Sequence, residues 1–225
     1  RGLGDVYKRQ VPGITINRYC ASGLESISMA VGKIKAGFGH IYIAGGTESM
    51  SMIPMTGYKL APSYKANLEN LNYHVSMGAT AEAVADKYGI TREMSDEFAV
   101  NSHVKAAAAI DSKKFDNEIV PITVEEVFVK EGKKQTKTHI VSQDEGVRRD
   151  TSLEGLARLR PAFRLKGVVT AGNASQTSDG SAFTLIVSEK MVKELNLEPI
   201  ARLVSCAVGG VDPLYMGIGL SLIHI

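Results

Sequence analysis

The sequence is poor in cysteine, in net charge and in long apolar runs, and each shortage excludes a class of protein. Two cysteines among 225 residues cannot form the framework of a small secreted disulfide protein, so they favour a reducing compartment. A formal net charge of +2 gives no reason to expect nucleic acid or a membrane surface as a partner. No apolar run approaches the length of a membrane span. We therefore expect a cytoplasmic protein, or an organellar one in a eukaryote.

The sequence also lacks the patterns of metal sites and phosphate loops. The five histidines form no His-x-x-x-His or Gly-His-Pro pattern, so neither a metal site nor a serine triad is predicted. Gly37 and Gly39 lack both the Lys-Ser/Thr ending of a phosphate loop and the spacing of a dinucleotide-binding loop. We expect no metal and no permanently bound cofactor.

Apolar periodicity predicts an α/β protein with a long insertion between residues 50 and 170. The first elements are a strand at 14–16, a helix at 20–35 and a strand at 40–44, which together predict a β-α-β unit. The further predictions are helices at 80–88, 92–114, 155–160 and 189–195, a hairpin within 119–141 that turns at Gly132, and strands at 168–170, 182–187 and 200–204.

Cys20 is placed at the start of the first predicted helix. The unpaired N–H groups and the dipole at a helix N-terminus favour a thiolate over a thiol. The small residues Ala21, Ser22 and Gly23 leave room for a substrate carbonyl to approach the sulfur. This pattern suits covalent acyl transfer, although a buried structural cysteine is the alternative.

Five blocks of residues resemble the thiolase family, in the order in which that family carries them. The first, Asn-Arg-Tyr-Cys-Ala-Ser-Gly-Leu at 17–24, resembles the active-cysteine motif of thiolases. The others are Ala-Gly-Gly-Thr-Glu-Ser-Met-Ser at 44–51, Met-Gly-Ala-Thr-Ala-Glu at 77–82, Leu-Arg-Pro-Ala-Phe at 159–163 followed by Thr-Ala-Gly-Asn-Ala-Ser at 170–175, and Met-Gly-Ile-Gly at 216–219. The resemblance implies that Cys20 is the nucleophile that carries the acyl group as a thioester.

The resemblance also implies the thiolase fold, in which two similar halves stack as five αβαβα layers and a loop domain is inserted in the first half. The chain would hold only part of it. Residues 11–50 with 178–198 would form an incomplete N-terminal half, 51–177 the loop domain, and 199–219 the start of the C-terminal half. Residues 1–10 and 220–225 do not resemble the family, and we expect both ends to be non-native.

Carried over by position, five residues would bind the substrate and coenzyme A. Ser175 would contact the pantetheine arm and Arg148 the adenine nucleotide, although the neighbouring Arg149 leaves that register open. Met77, Phe163 and Met216 would line the pocket for the acyl group and pantetheine. Without the resemblance, these last three are most simply core residues and Arg148 is a surface charge. Cys206 precedes the Met-Gly-Ile-Gly block, whereas the second catalytic cysteine of the family follows it, so we interpret Cys206 as structural.

The reaction implied is cleavage of a 3-ketoacyl-CoA by coenzyme A, which acts as co-substrate. Arg18, together with the lack of glycine at position 21, is more typical of degradative thiolases of fatty acid β-oxidation than of biosynthetic ones. The alternatives are an acetoacetyl-CoA thiolase and a non-catalytic fragment that binds coenzyme A. The Asn-Glu-Ala-His, Gly-His-Pro and second-cysteine motifs of the family are absent, so we expect this chain to be catalytically incomplete. The resemblance implies a homodimer or homotetramer for the full-length protein, with a β-oxidation multienzyme as a further partner.

Overall fold

The computed structural model describes residues 11–224, and of residues 220–224 it describes the backbone alone. The expected non-native end at 1–10 lies outside the described residues, as do the side chains of the other end. The elements are α1 Ser22–Lys35, β1 Ile41–Ser49, α2 Tyr64–Glu69, α3 Met77–Tyr88, α4 Arg92–Asp111, β2 Ile122–Lys130, β3 Lys133–Val141, α5 Leu153–Ala157, β4 Asp179–Val187 and α6 Glu189–Glu194, with 3₁₀ helices at Leu71–His74 and Pro213–His224. Within the described part of the chain, no helix is both long and apolar enough to cross a membrane.

The chain divides into two compact units. The first, here called the cysteine unit, contains residues up to 61 together with 177–208. The second, here called the loop unit, contains 62–176 and the residues from 209 onward. The assignment of 51–177 to a loop domain and of 199–219 to a second half stays a prediction.

The cysteine unit is built on a two-stranded antiparallel sheet. Strand β1 pairs with β4 from Ile41 opposite Val187 to Ser49 opposite Asp179. Helix α1 packs against one face of this pair, where Ala30 of the helix is buried and Ala44 of the strand is buried. Successive side chains of a strand point to opposite faces of the sheet. Ile43 and its partner Leu185 therefore lie on the face that α1 does not cover.

That opposite face is apolar and open. Ile43 is 73% exposed, Phe183 is 61% exposed and Leu185 is also exposed. The sheets of α/β proteins are normally covered on both faces, because their strands are apolar on both. Among the described residues, the cysteine unit therefore covers only one of the two faces of its sheet.

In the loop unit, local sequence signals place the ends of the helices and the hairpin. The side chain of Ser76 accepts from Ala79 N–H at the start of α3, and Gly89 ends that helix with a φ of 65°. The hairpin of β2 and β3 turns through Glu131 and Gly132, whose φ values of 53° and 73° are those of a type I′ turn. The predictions of the two long helices and of the hairpin are confirmed, with shifted ends.

Three of the predicted strands are wrong, and with them the β-α-β unit. Residues 14–16 and 200–204 are in no strand, and within 168–170 only Thr170 makes an isolated bridge, to Pro161. A strand requires a neighbouring backbone to pair with, which a short apolar run does not itself provide. Strand β1 in turn continues through Gly45 and Gly46 to Ser49, beyond the end at Ala44 that was predicted, because β4 pairs with it throughout.

Candidate functional site

Cys20 lies in a tight turn immediately before α1. The N–H of Ala21 donates to the carbonyl of Arg18 at 3.0 Å, and the N–H of Ser22 donates to the carbonyl of Tyr19 at 3.0 Å. Tyr19 has a φ of 46°, in the left-handed region that few residues with a side chain adopt. The helix was predicted to begin at Cys20 and begins instead at Ser22, because this turn interrupts the helical path.

Polar side chains of the same segment hold this turn in place. Ser22 Oγ accepts from Arg18 N–H at 2.8 Å and donates to the Tyr19 carbonyl at 2.7 Å. Asn17 Oδ1 accepts from Tyr19 N–H at 2.8 Å. These bonds stabilise the left-handed backbone at Tyr19, where strain of this kind is a feature of functional sites. The conformation that presents the thiol is therefore encoded within six consecutive residues.

The thiol of Cys20 is exposed and in no disulfide. The exposure argues against the alternative of a buried structural cysteine, while the role of nucleophile stays a prediction. The first hydrogen bond of α1 runs from Glu25 N–H to the carbonyl of Ala21. Within the described part of the chain, the N–H groups of Gly23 and Leu24 thus have no backbone acceptor, as is usual for the first turn of a helix. Cys206 is exposed as well, in a segment without regular structure.

An open depression of 510 Å³ adjoins Cys20. Its walls are small or apolar and come from α1, β1 and β4, namely Gly23, Leu24, Ile27, Ala44, Gly45, Gly46, Ala182, Phe183 and Thr184. At Gly45 a Cβ would overlap the carbonyl oxygen of Ala182, so glycine is required there for β1 and β4 to pair. At Gly46 a Cβ would meet nothing within 4 Å. This surface can accommodate an apolar group next to the sulfur.

The five residues predicted to bind coenzyme A and the acyl group all belong to the loop unit, namely Met77, Arg148, Phe163, Ser175 and Met216. Three of them are associated with α3. Met77 begins that helix, and the ring of Phe163 lies so close to Gly78 that a Cβ there would overlap it. Met216 belongs to the 3₁₀ helix Pro213–His224, which packs on α3.

Those three residues are not core residues, contrary to the simplest interpretation of the sequence. Met77 is 53% exposed, Phe163 is 50% exposed and Met216 is 38% exposed. They border α3 with side chains that remain accessible to a ligand. Their role in binding stays a prediction.

The choice between Arg148 and Arg149 is clarified by the contacts of each. Arg149 pairs with the Asp111 carboxylate through two hydrogen bonds of 2.9 and 2.7 Å, which hold the pKa of Asp111 below its ordinary value. The guanidinium of Arg148 has no ion-pair partner among the described residues, whereas the backbone N–H of Arg148 donates to His103 Nδ1 at 3.2 Å. Both arginines border a cavity of 300 Å³ beside α4. Of the two, Arg148 is the guanidinium available to a ligand.

Ser175 is exposed, and its hydroxyl makes a single hydrogen bond, of 3.3 Å, to the carbonyl of Gln176. The segment that leads to it is anchored by three polar side chains that the sequence did not identify as important, namely Glu82, Asp96 and Asn173. One signal was available, since Arg92 and Asp96 are spaced for an ion pair along a helix. The partners of Glu82 and Asn173 are distant in sequence, and no spacing indicates them.

Across the described ranges, no group of three or more His, Cys, Asp or Glu side chains is arranged to hold a metal ion.

Comparison with known proteins gives consistent results. The sequence profile of the thiolase N-terminal domain matches residues 6–190. The 3-ketoacyl-CoA thiolase of Bacillus subtilis (strain 168) is 49% identical over 210 residues, which are 93% of this chain and 54% of the relative. Among solved structures, the acetyl-CoA acetyltransferase of Bacillus anthracis matches with a TM-score of 0.80 and 42% identity, over 96% of this chain and 56% of that one. The human mitochondrial 3-ketoacyl-CoA thiolase in complex with CoA matches with a TM-score of 0.75 and 37% identity, over 92% of this chain and 53% of that one.

These matches identify the fold family of the chain, which its helices and strands do not identify by themselves. The solved structures share the thiolase fold, and this chain carries a part of it, as predicted. The chain spans about half the length of the relatives it matches.

Proposed function

This chain belongs to the thiolase family of acyltransferases, and from that premise we propose that Cys20 accepts the acyl group of a 3-ketoacyl-CoA. The sulfur attacks the keto carbonyl, the bond between the keto carbon and the adjacent carbon breaks, and acetyl-CoA leaves with a proton on its methyl carbon. The thiol of coenzyme A then attacks the acyl-cysteine, which releases a shortened acyl-CoA and restores the thiol. The observation that carries the proposal is the exposed Cys20 in a turn held by Asn17 and Ser22.

The loop unit supplies the proposed binding residues for coenzyme A. Ser175 would contact the pantetheine arm, Arg148 the adenine nucleotide, and Met77, Phe163 and Met216 the pocket for the acyl group and pantetheine. Their support is the exposure of each side chain, the guanidinium of Arg148, which has no ion-pair partner among the described residues, and the CoA complex of the human relative. Coenzyme A is thus proposed as a co-substrate.

We assign the degradative direction, in fatty acid β-oxidation, to the full-length protein. The support is the form of the motif around Arg18 and the identity to a relative named 3-ketoacyl-CoA thiolase. A second candidate, acetoacetyl-CoA thiolase activity, is favoured by the similarity to an acetyl-CoA acetyltransferase. Comparing cleavage of acetoacetyl-CoA with that of a long 3-ketoacyl-CoA by the full-length protein separates them, since cleavage of the four-carbon substrate alone would favour the second.

We further propose that the 225-residue chain turns over slowly or not at all, because among the described residues neither a histidine nor a second cysteine lines the depression beside Cys20. We assign a homodimer or homotetramer, with a β-oxidation multienzyme partner, only to the full-length protein. The remaining alternative is a fragment that binds coenzyme A without accepting an acyl group.

Acylation of the chain by acetyl-CoA tests the proposal, because thioester exchange requires only a thiolate. The expected result is one acetyl group on the peptide that contains Cys20, detected by mass spectrometry and absent in Cys20→Ser. Cys206→Ser is the matched control, since Cys206 is the other exposed cysteine and its loss should leave the labelling unchanged. Equal labelling of both cysteines would indicate non-specific reaction and contradict the proposal. Binding of coenzyme A without labelling would favour the non-catalytic fragment.

A further inference from the structure

The segment 161–176, which leads to Ser175, has almost no regular secondary structure, yet its position is set by buried polar groups. Its one sheet-like pairing among the described residues is an isolated bridge between Pro161 and Thr170, which both lie within the segment. The buried backbone groups of such a segment must find side-chain partners, since an unpaired buried donor is costly. The Glu82 carboxylate and the side chain of Asn173, which is itself bonded to the Asp96 carboxylate, provide those partners.

Glu82 of α3 anchors the first part of the segment. Its carboxylate, in a residue only 2% exposed, accepts from the N–H of Val168 and from the N–H of Val169, each at 3.0 Å. Arg164 Nη2 lies 3.3 Å from the same carboxylate and also pairs with Asp86. These bonds replace the strand pairing that was predicted for 168–170.

Asp96 of α4 anchors the second part through Asn173. Asp96 is 4% exposed, and its Oδ1 accepts from Asn173 Nδ2 at 2.8 Å. The same Nδ2 donates to the carbonyl of Val168 at 2.9 Å, and Asn173 Oδ1 accepts from the N–H of Thr170 at 2.7 Å. Asn173 thus closes the loop between 168 and 173 upon itself and ties it to α4. Arg92 Nε completes the group with a 2.7 Å bond to Asp96 Oδ2.

Glycines make this close approach of the segment feasible. A Cβ at Gly167 would overlap the Glu82 carboxylate, and a Cβ at Gly172 would overlap the side chains of Leu156 and Leu159. Thr170, between them, is fully buried. The segment therefore has one well-defined position against α3, α4 and α5.

We propose that Asn173, held by Asp96, is the positioning residue that presents Ser175 to the pantetheine arm of coenzyme A. The inference rests on the proposed function and adds to it a residue that contacts no substrate. Among the described residues, the Ser175 side chain makes one hydrogen bond, of 3.3 Å, so its placement depends on the backbone that precedes it. Asn173 is the last residue of the segment whose side chain bonds to a buried partner, and Ala174 N–H then donates to the carbonyl of the buried Thr170 at 3.0 Å.

Asn173→Asp tests this with little change in volume. In the unchanged chain, the Nδ2 amide group of Asn173 donates to both Asp96 Oδ1 and the Val168 carbonyl. The substitution puts a carboxylate oxygen in its place, which cannot donate to either acceptor. Amide hydrogen exchange in peptides from 168–176 of the 225-residue chain should become faster, while peptides from the cysteine unit should be unchanged. Affinity for coenzyme A, measured by calorimetry, should fall by about five- to tenfold, as expected when one hydrogen bond to the ligand is lost. Affinity for adenosine 3′,5′-bisphosphate, which lacks the pantetheine arm, should stay within about twofold.

Three further variants distinguish positioning from a general loss of structure. Asn101→Asp introduces the same charge at an exposed site of α4 and should change neither measurement. Ser175→Ala should weaken coenzyme A binding by itself, and its combination with Asn173→Asp should add little, because both act on one contact. Combining Asp96→Asn with Asn173→Asp restores a donor opposite an acceptor and should recover part of the lost affinity.

The outcomes separate this inference from the proposed function. If the unchanged chain binds no coenzyme A, both fail. If it binds coenzyme A and Asn173→Asp binds it equally well, or exchanges no faster at 168–176, the inference alone is overturned. If Asn173→Asp does not fold, Asn173→Ala removes the amide that donates to Asp96 Oδ1 and provides the same test. Additive effects of the Asn173 and Ser175 substitutions would also overturn it.

Discussion

The two compact units stabilise their candidate site residues in different ways. In the cysteine unit, the turn around Cys20 is held by hydrogen bonds between residues at most four positions apart, such as Arg18 to Ser22. In the loop unit, the segment before Ser175 makes local bonds through Asn173 but is tied to the helices by bonds that join residues 77 or more positions apart, such as Asp96 to Asn173. The nucleophile is therefore presented by local structure, and the predicted coenzyme A residues by tertiary structure.

The units also differ in what they bury. The loop unit buries two carboxylates with their partners, whereas the cysteine unit leaves an apolar sheet face open. The exposed apolar face of the cysteine unit, which includes Ile43, Phe183 and Leu185, predicts poor solubility of the chain.

Removing the Arg92 side chain should cause the largest loss of stability, and we expect that loss to be confined to the loop unit. Arg92→Leu leaves Asp96 buried without its ion-pair partner and removes the donor to the Leu156 carbonyl. We expect a loss of about 3 kcal/mol in the free energy of unfolding of this unit. Hydrogen exchange of peptides from 153–176 should report it, while those from 22–49 stay protected. Arg149→Leu is the matched control, because its pair with Asp111 is exposed to screening by solvent and should contribute much less than the buried pair. Equal losses in both variants would contradict the distinction.

Gly45→Val should destabilise the cysteine unit to a degree comparable with the effect of Arg92→Leu on the loop unit. A side chain at Gly45 would overlap the Ala182 backbone and prevent β1 from pairing with β4 at that point. Overpacking of this kind costs about 1–3 kcal/mol. Faster exchange of amides in 41–49 and 179–187 would measure it. At Gly46, where a Cβ meets nothing within 4 Å, the same substitution should have little effect, and an equal loss of protection there would contradict the role assigned to the overlap at Gly45.

Polar substitution of the open sheet face should raise solubility at little cost in stability. Ile43 and Leu185 face each other across β1 and β4 and are both exposed. Converting both to threonine gives each position a β-branched side chain, which favours strands, and should change the free energy of unfolding by less than about 1 kcal/mol. Light scattering should then show less aggregation. Ile186→Thr, on the face that α1 covers, should instead destabilise the unit, and a greater loss from the Ile43 and Leu185 pair would mean that their face is covered in solution.

The smallest effect is expected from acid, at the junction of β4 and the turn after β1. Hydrogen bonds from Ser51 hold the pKa of Asp179 below its ordinary value of 3.8. A carboxyl whose pKa is lowered on folding stabilises the fold above its unfolded pKa, and that contribution is lost as the pH falls through the folded value. The midpoint of urea unfolding of the cysteine unit should therefore decrease below about pH 4, and less so in Asp179→Asn. An identical acid dependence in both proteins would assign the effect to other groups.

The site was predicted from sequence to very different degrees in the two units. The motif around Cys20 could be recognised because each residue that shapes the turn lies within it, including Asn17 and Ser22. The segment before Ser175 was recognised as a block, but Glu82 and Asn173 were not identified as its anchors. Nothing local distinguishes a glutamate that binds two buried N–H groups from one that faces solvent.

The sequence by itself determined the helix ends, the hairpin turn and the turn that carries Cys20. Each depends on bonds between near neighbours, as in the cap of Ser76 or the positive φ of Gly132. Only the tertiary structure decided which apolar runs became strands, which face of the β1–β4 pair was covered, and how 168–176 was anchored. A strand exists only when another backbone pairs with it, and a buried N–H is stabilised only by an acceptor that folding brings to it from elsewhere in the chain.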